Sequence, residues 1–77
     1  MQKYRNYSGN SGVSGFEFQE EAILVEFNQQ DIYKYTFSSA GEKHVLEMKR
    51  LAIAGKGLST YISRNVKKKY AQIIPQK

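Results

Sequence analysis

Three short runs in which side chains alternate between two faces constrain this chain more than any other feature. Phe16 and Phe18 alternate with Gly15 and Glu17, and Ile23, Val25 and Phe27 with Leu24 and Glu26. Tyr33, Tyr35 and Phe37 then alternate with Ile32, Lys34 and Thr36. Period-two patterning rich in β-branched and aromatic residues belongs to strands with one buried face. The runs are separated only by Glu20-Glu21 and by Asn28-Gln29-Gln30-Asp31. Loops that short join antiparallel neighbours, so the expectation is a three-stranded meander. Its buried face collects Phe16, Phe18, Ile23, Val25, Phe27, Tyr33, Tyr35 and Phe37, and something must cover it.

The cover follows in the chain. Ser39-Ala40-Gly41-Glu42 has the spacing of a capping box. From there to Ala54 the pattern is helical, with Val45, Met48 and Ala52 on one stripe and Leu51 beside it. Leu46 and Ile53, seven apart, form a second stripe beyond Lys49. A small sheet cannot cover both stripes, which leaves the second to another subunit or to the N-terminal arm. Gly55-Lys56-Gly57 stops this helix. A second starts near Leu58, with Leu58, Tyr61, Ile62 and Val66 inward and Thr60, Arg64, Lys67 and Lys68 towards solvent. The expected architecture is α+β, a three-stranded antiparallel meander followed by an αα-hairpin packed on one face (β-β-β-α-α). Residues 1–12 read as a flexible arm, 13–70 as the single domain and 71–77 as a C-terminal tail.

Size limits the stability of such a fold. A chain of 77 residues buries only about 60–65% of the surface exposed when unfolded. Small folds often add a disulfide, a metal or a second subunit. There is no cysteine, and the lone His44 cannot build a metal site from scattered carboxylates. No cofactor or metal is therefore expected, which leaves either an unusually tidy core or self-association, the latter as a homo-oligomer through Leu46 and Ile53. Lack of cysteine, of a signal-type hydrophobic segment and of a run of about 20 apolar residues suggests a cytoplasmic protein without a membrane partner.

Charge is divided unevenly. Residues 1–41 hold three cations against five carboxylates, a net −2, whereas residues 42–77 hold nine against two, a net +7. Basic charge on the helical half favours an anionic partner: nucleic acid, a nucleotide or an acidic protein surface.

Eight residues stand as candidate ligand contacts. Tyr33 and Tyr35 could stack bases, at about 1–3 kcal/mol each, or serve as core residues whose hydroxyls reach the edge. Arg50, Arg64, Lys67 and Lys68, with Lys49 and Lys69 nearby, could track phosphates or simply complement helix dipoles and aid solubility. Lys56 and Ser59, with Thr60, could complete a phosphate nest on the glycine turn, or that turn could only reverse the chain. It is no Walker motif, because Gly57 rather than Ser or Thr follows Lys56 and no glycine lies five residues before Gly55. His44 with Glu47 could act as an acid–base pair in a small ribonuclease, but one such pair on a solvated helix face lacks a second base and a pocket. No catalytic residue is assigned.

Ser11-Gly12-Val13, the strand Ile23-Leu24-Val25-Glu26-Phe27, the central Tyr33-Lys34-Tyr35 and the Gly55-Lys56-Gly57 joint together resemble the KTSC domain. That family is named for a module at the C-terminus of some lysyl-tRNA synthetases, and it also occurs as short stand-alone bacterial and phage-type proteins. The resemblance spans roughly residues 11–70. It implies no established enzymatic activity, and RNA binding only as a suggestion.

The expected function is thus a non-enzymatic binding module for a phosphate-bearing ligand, with RNA or single-stranded nucleic acid first. The alternatives are an oligomer that sequesters a small signalling nucleotide and a protein–protein adaptor.

Overall fold

A computed structural model describes residues 1–9 and 11–75. Among these residues one antiparallel sheet has five strands in chain order: β1 (Gln2–Lys3), β2 (Val13–Gln19), β3 (Ala22–Phe27), β4 (Asp31–Thr36) and β5 (Gln72–Pro75). Between β4 and β5 run α1 (Phe37–Ala40), α2 (Glu42–Ala54) and α3 (Leu58–Tyr61), and α3 continues into a π-helical segment, Ile62–Val66. The α+β class and the antiparallel meander agree with the sequence reading, but the sheet is larger and the helical cover more broken.

The three expected strands pair in the register that their alternation requires. Phe16 lies opposite Val25 and Phe18 opposite Ile23, while Val25 and Ile23 lie opposite Tyr33 and Tyr35. Asn28 and Gln29, at φ 54° and 57°, make the tight turn into β4. The helices cover this face. Ile23, Val25 and Tyr35 pack in one cluster with Val45, Met48, Ala52, Leu58, Ile62 and Val66, all of them buried.

Both ends of the chain depart from expectation. The arm is docked: Gln2 and Lys3 pair with Phe16 and Gly15, and Tyr4 is only 2% exposed. The tyrosine hydroxyl accepts a hydrogen bond from the Leu58 N–H at 3.3 Å, tying the arm to the start of α3. Tyr7 N–H donates to the Gly55 carbonyl at 2.8 Å. Gly55 is left-handed at φ 78°, and a Cβ there would stand 2.9 Å from the Tyr7 ring, so two constraints require glycine. The expected tail is also structured, since Gln72–Pro75 adds β5 to the free edge of β4. A four-residue segment carries too little periodicity to announce itself as a strand. Asn10 of the arm and residues 76–77 of the tail lie outside the described residues.

The capping box sits earlier than expected. The Thr36 hydroxyl accepts from the Ser39 N–H at 2.9 Å, and the Ser39 hydroxyl accepts from the Thr36 N–H at 3.0 Å. With Ser39 so engaged, α2 starts after Gly41, at φ 101°, with no side-chain cap. Its C-terminus agrees with the reading, because Gly55 N–H donates to the Leu51 carbonyl. Lys49 reaches from α2 to the sheet edge, donating to the Gln19 carbonyl at 2.7 Å with its ammonium 5.4 Å from the Phe18 ring centre.

Candidate functional site

The eight candidate residues do not form one patch, but four of them meet. Tyr33 and Tyr35 from β4, Ser59 from α3 and Lys67 beyond the π-helical segment line a cleft of about 230 Å³ between the sheet and the last helix. Phe27, Ile62 and Ser63 complete its wall. Next to it lies an aromatic cluster. Tyr33 meets Phe27 edge-on at 5.2 Å and Tyr70 at 5.1 Å between ring centres, and Tyr70 also lies 6.4 Å from Tyr35. Such edge-to-face geometry holds aromatic walls in place at about 0.5–1.5 kcal/mol per pair beyond burial.

The two central tyrosines differ. Tyr33 is half-buried, so part of its ring remains available. Tyr35 belongs to the core at 1% exposure. Its hydroxyl has no hydrogen-bond partner among the described residues, and no buried side-chain oxygen or nitrogen among them lacks one. The little exposure Tyr35 retains therefore includes this oxygen, and Tyr35 is one of the residues lining the cleft. Burial, and then the neighbouring Tyr33 and Tyr70, push the phenol up to about 12. At neutral pH it is a fixed, uncharged donor and acceptor at the base of an apolar wall.

Lys67 reaches the cleft from just beyond the last helix, although the sequence reading places it on the solvent face with Thr60 and Arg64. Ser59, Ser63 and Lys67, spaced four residues apart, stand along one wall of the cleft. Lys67 keeps its head exposed there, while Arg64 and Lys68 remain on the outer surface.

Two other candidates lie away from the cleft. Arg50 sits on the outer face of α2, where its guanidinium forms a two-point ion pair with Glu47. That pairing holds the Glu47 carboxyl below its ordinary range. Lys56 is exposed in the turn between α2 and α3, where the sequence reading considers a phosphate nest. The Leu58 N–H, one of the donors at that helix start, is already bonded to Tyr4. His44 and Glu47 have separate partners: the imidazole Nδ1 lies 2.6 Å from the Tyr61 hydroxyl, while Glu47 engages Arg50. Among the described residues no three His, Asp or Glu side chains converge as a metal-holding group.

Leu46 and Ile53 are 49% and 63% exposed on α2. The arm runs beside Ile53, bounding a hollow with Gln2, Lys3 and Arg5, without covering it. No helix among the described residues is long and apolar enough to cross a membrane.

Sequence reasoning missed Ser63 and Tyr70 as site residues. Tyr70 carried the one available signal, an aromatic directly after a lysine run. Compared with known proteins, the chain matches no family model, no curated protein and no solved structure.

Proposed function

We propose that this protein is a non-catalytic module that binds single-stranded nucleic acid, with one base in the cleft and the flanking phosphates on Lys67, Lys68 and Arg64. The observation that carries this reading is the convergence of a half-exposed tyrosine, an open buried hydroxyl and a lysine in one aromatic-walled cleft. Aromatic platforms stack bases regardless of identity, and lysines track the backbone between them. The likeness to the KTSC domain, in which RNA binding is a suggestion, belongs to the same proposal.

The size of the cleft favours a strand over a free signalling nucleotide. Pockets for drug-sized ligands run from about 300 to 1,000 Å³ and enclose most of the ligand. The cleft, at about 230 Å³, has room for a ring but not for a whole sequestered nucleotide. A pocket shared between subunits, with Leu46 and Ile53 as the contact, would restore that second reading. An adaptor role would rest on the same two residues.

Fluorescence anisotropy with a labelled eight-nucleotide uridine oligomer tests the proposal. Affinity should fall steeply with salt, and Lys67→Ala should weaken binding while lowering the slope of log affinity against log salt by about 0.7. Saturable binding of a mononucleotide with no affinity for the oligomer would transfer the site to the second reading.

A further inference from the structure

We propose that the hollow beside the cleft receives a ribose, so that the module prefers RNA to DNA of the same sequence; this rests on the base-binding reading of the cleft. The hollow, of about 270 Å³, is lined by Ser8, Ser11, Gly57, Ser59 and Thr60. Ser59 lines both spaces, so a base held in the cleft has its sugar within reach of the hollow.

The lining determines which chemical group fits. It has four hydroxyls and no charged side chain. Ser11 Oγ accepts from the Val13 N–H at 3.1 Å, while Ser8, Ser59 and Thr60 have no side-chain hydrogen bond to other described residues. Each hydroxyl can both donate and accept, which matches the 2′-hydroxyl of ribose. A phosphate is the poorer occupant. The first N–H of α3 is bonded to Tyr4, Lys67 lines the cleft and not the hollow, and Lys56, in the turn before Gly57, is not among the hollow's lining residues.

The wall contributed by the arm is held in place. Tyr7 is bonded to Gly55, Gly9 N–H donates to the Asn6 carbonyl at 3.0 Å, and the Asn6 side chain clasps the Ser11 backbone at both its N–H and its carbonyl. Ser8 and Ser11 therefore face α3 from a closed loop. The neighbouring cleft, on which this reading rests, is lined by Tyr35, a residue 1% exposed whose hydroxyl has no partner among the described residues.

The experiment compares uridine oligomers with ribose, deoxyribose and 2′-O-methyl ribose, at one salt concentration, on the wild-type chain and on a Ser8→Ala/Thr60→Ala variant, whose two positions line the hollow and not the cleft. One or two neutral hydrogen bonds correspond to about a three- to tenfold preference for the ribose oligomer. The double variant should lose that preference and retain its affinity for the deoxy oligomer. The 2′-O-methyl oligomer should bind the wild type no better than the deoxy one, a result that does not depend on any variant folding. Equal wild-type affinity for ribose and deoxyribose oligomers, or a preference that survives in the double variant, overturns the proposal and leaves the cleft reading intact. Absence of binding to all three oligomers overturns both.

Discussion

Two buried tyrosines in the core cluster show how similar burial can serve different ends. Tyr4, 2% exposed, and Tyr35, 1% exposed, both belong to the core cluster. The hydroxyl of Tyr4 receives the Leu58 N–H and closes the space at the start of α3. The hydroxyl of Tyr35 has no such partner among the described residues, and Tyr35 lines the cleft. A phenol that satisfies a backbone donor is an anchor, whereas one left open at the base of a cleft is available to a ligand.

Tyr4→Ala is the most damaging way to test that comparison. It removes a buried ring and detaches β1, and an aromatic-to-alanine change in a core costs about 3–5 kcal/mol. For a domain of this size that is a large share of its total stability. Urea unfolding should register the loss directly. Gly55→Ala should cost less, about 1–2 kcal/mol for the left-handed backbone, together with displacement of the Tyr7 ring. Weaker protection of the Tyr7 amide in hydrogen exchange would locate the damage in the arm.

Tyr35→Phe sharpens the contrast. The variant retains the ring and loses only the open oxygen, so stability near neutral pH should change by less than about 1 kcal/mol, while oligomer affinity falls about two- to tenfold. The phenol also has a pH signature. Its folded value of about 12 lies above the ordinary 10, so folding is supported fully below pH 10. That support is lost as pH rises from 10 through 12. Denaturation midpoints over this range should fall more steeply for the wild type than for Tyr35→Phe. Arg50→Ala has the smallest expected effect. Breaking an exposed ion pair with Glu47 should leave the urea midpoint nearly unchanged and leave the salt slope of oligomer binding unchanged.

The meander was legible because each of its residues declares a face locally. Phe16, Val25 and Tyr33 alternate with polar neighbours, and their register follows from burying that side. β1 and β5 were not legible. Gln2–Lys3 is too short for periodicity, and Gln72–Pro75 becomes a strand by adding to a free edge that exists only once β4 is formed. The same limit applies to the site. Tyr33, Tyr35, Ser59 and Lys67 could be nominated from their chemistry, but their meeting depends on how the last helix lies against β4, which no local pattern declares. Arg50 could have been set aside earlier, since Glu47 stands three residues before it on one helix face.

The wide turn over Ile62–Val66 gives the last helix a place where chain length can change while the cleft is kept. A π-helical turn holds one residue more than the helix around it needs, and such a residue can be excised without breaking the helix. Removing Asn65, an exposed position, would let the segment rewind as an ordinary helix with the side chains after it on nearly their present face. Lys67 would keep its place at the cleft. The same deletion within α2 would rotate everything after it by about 100°, so this chain should tolerate the loss of a residue far better in the wide turn than in the helix before it.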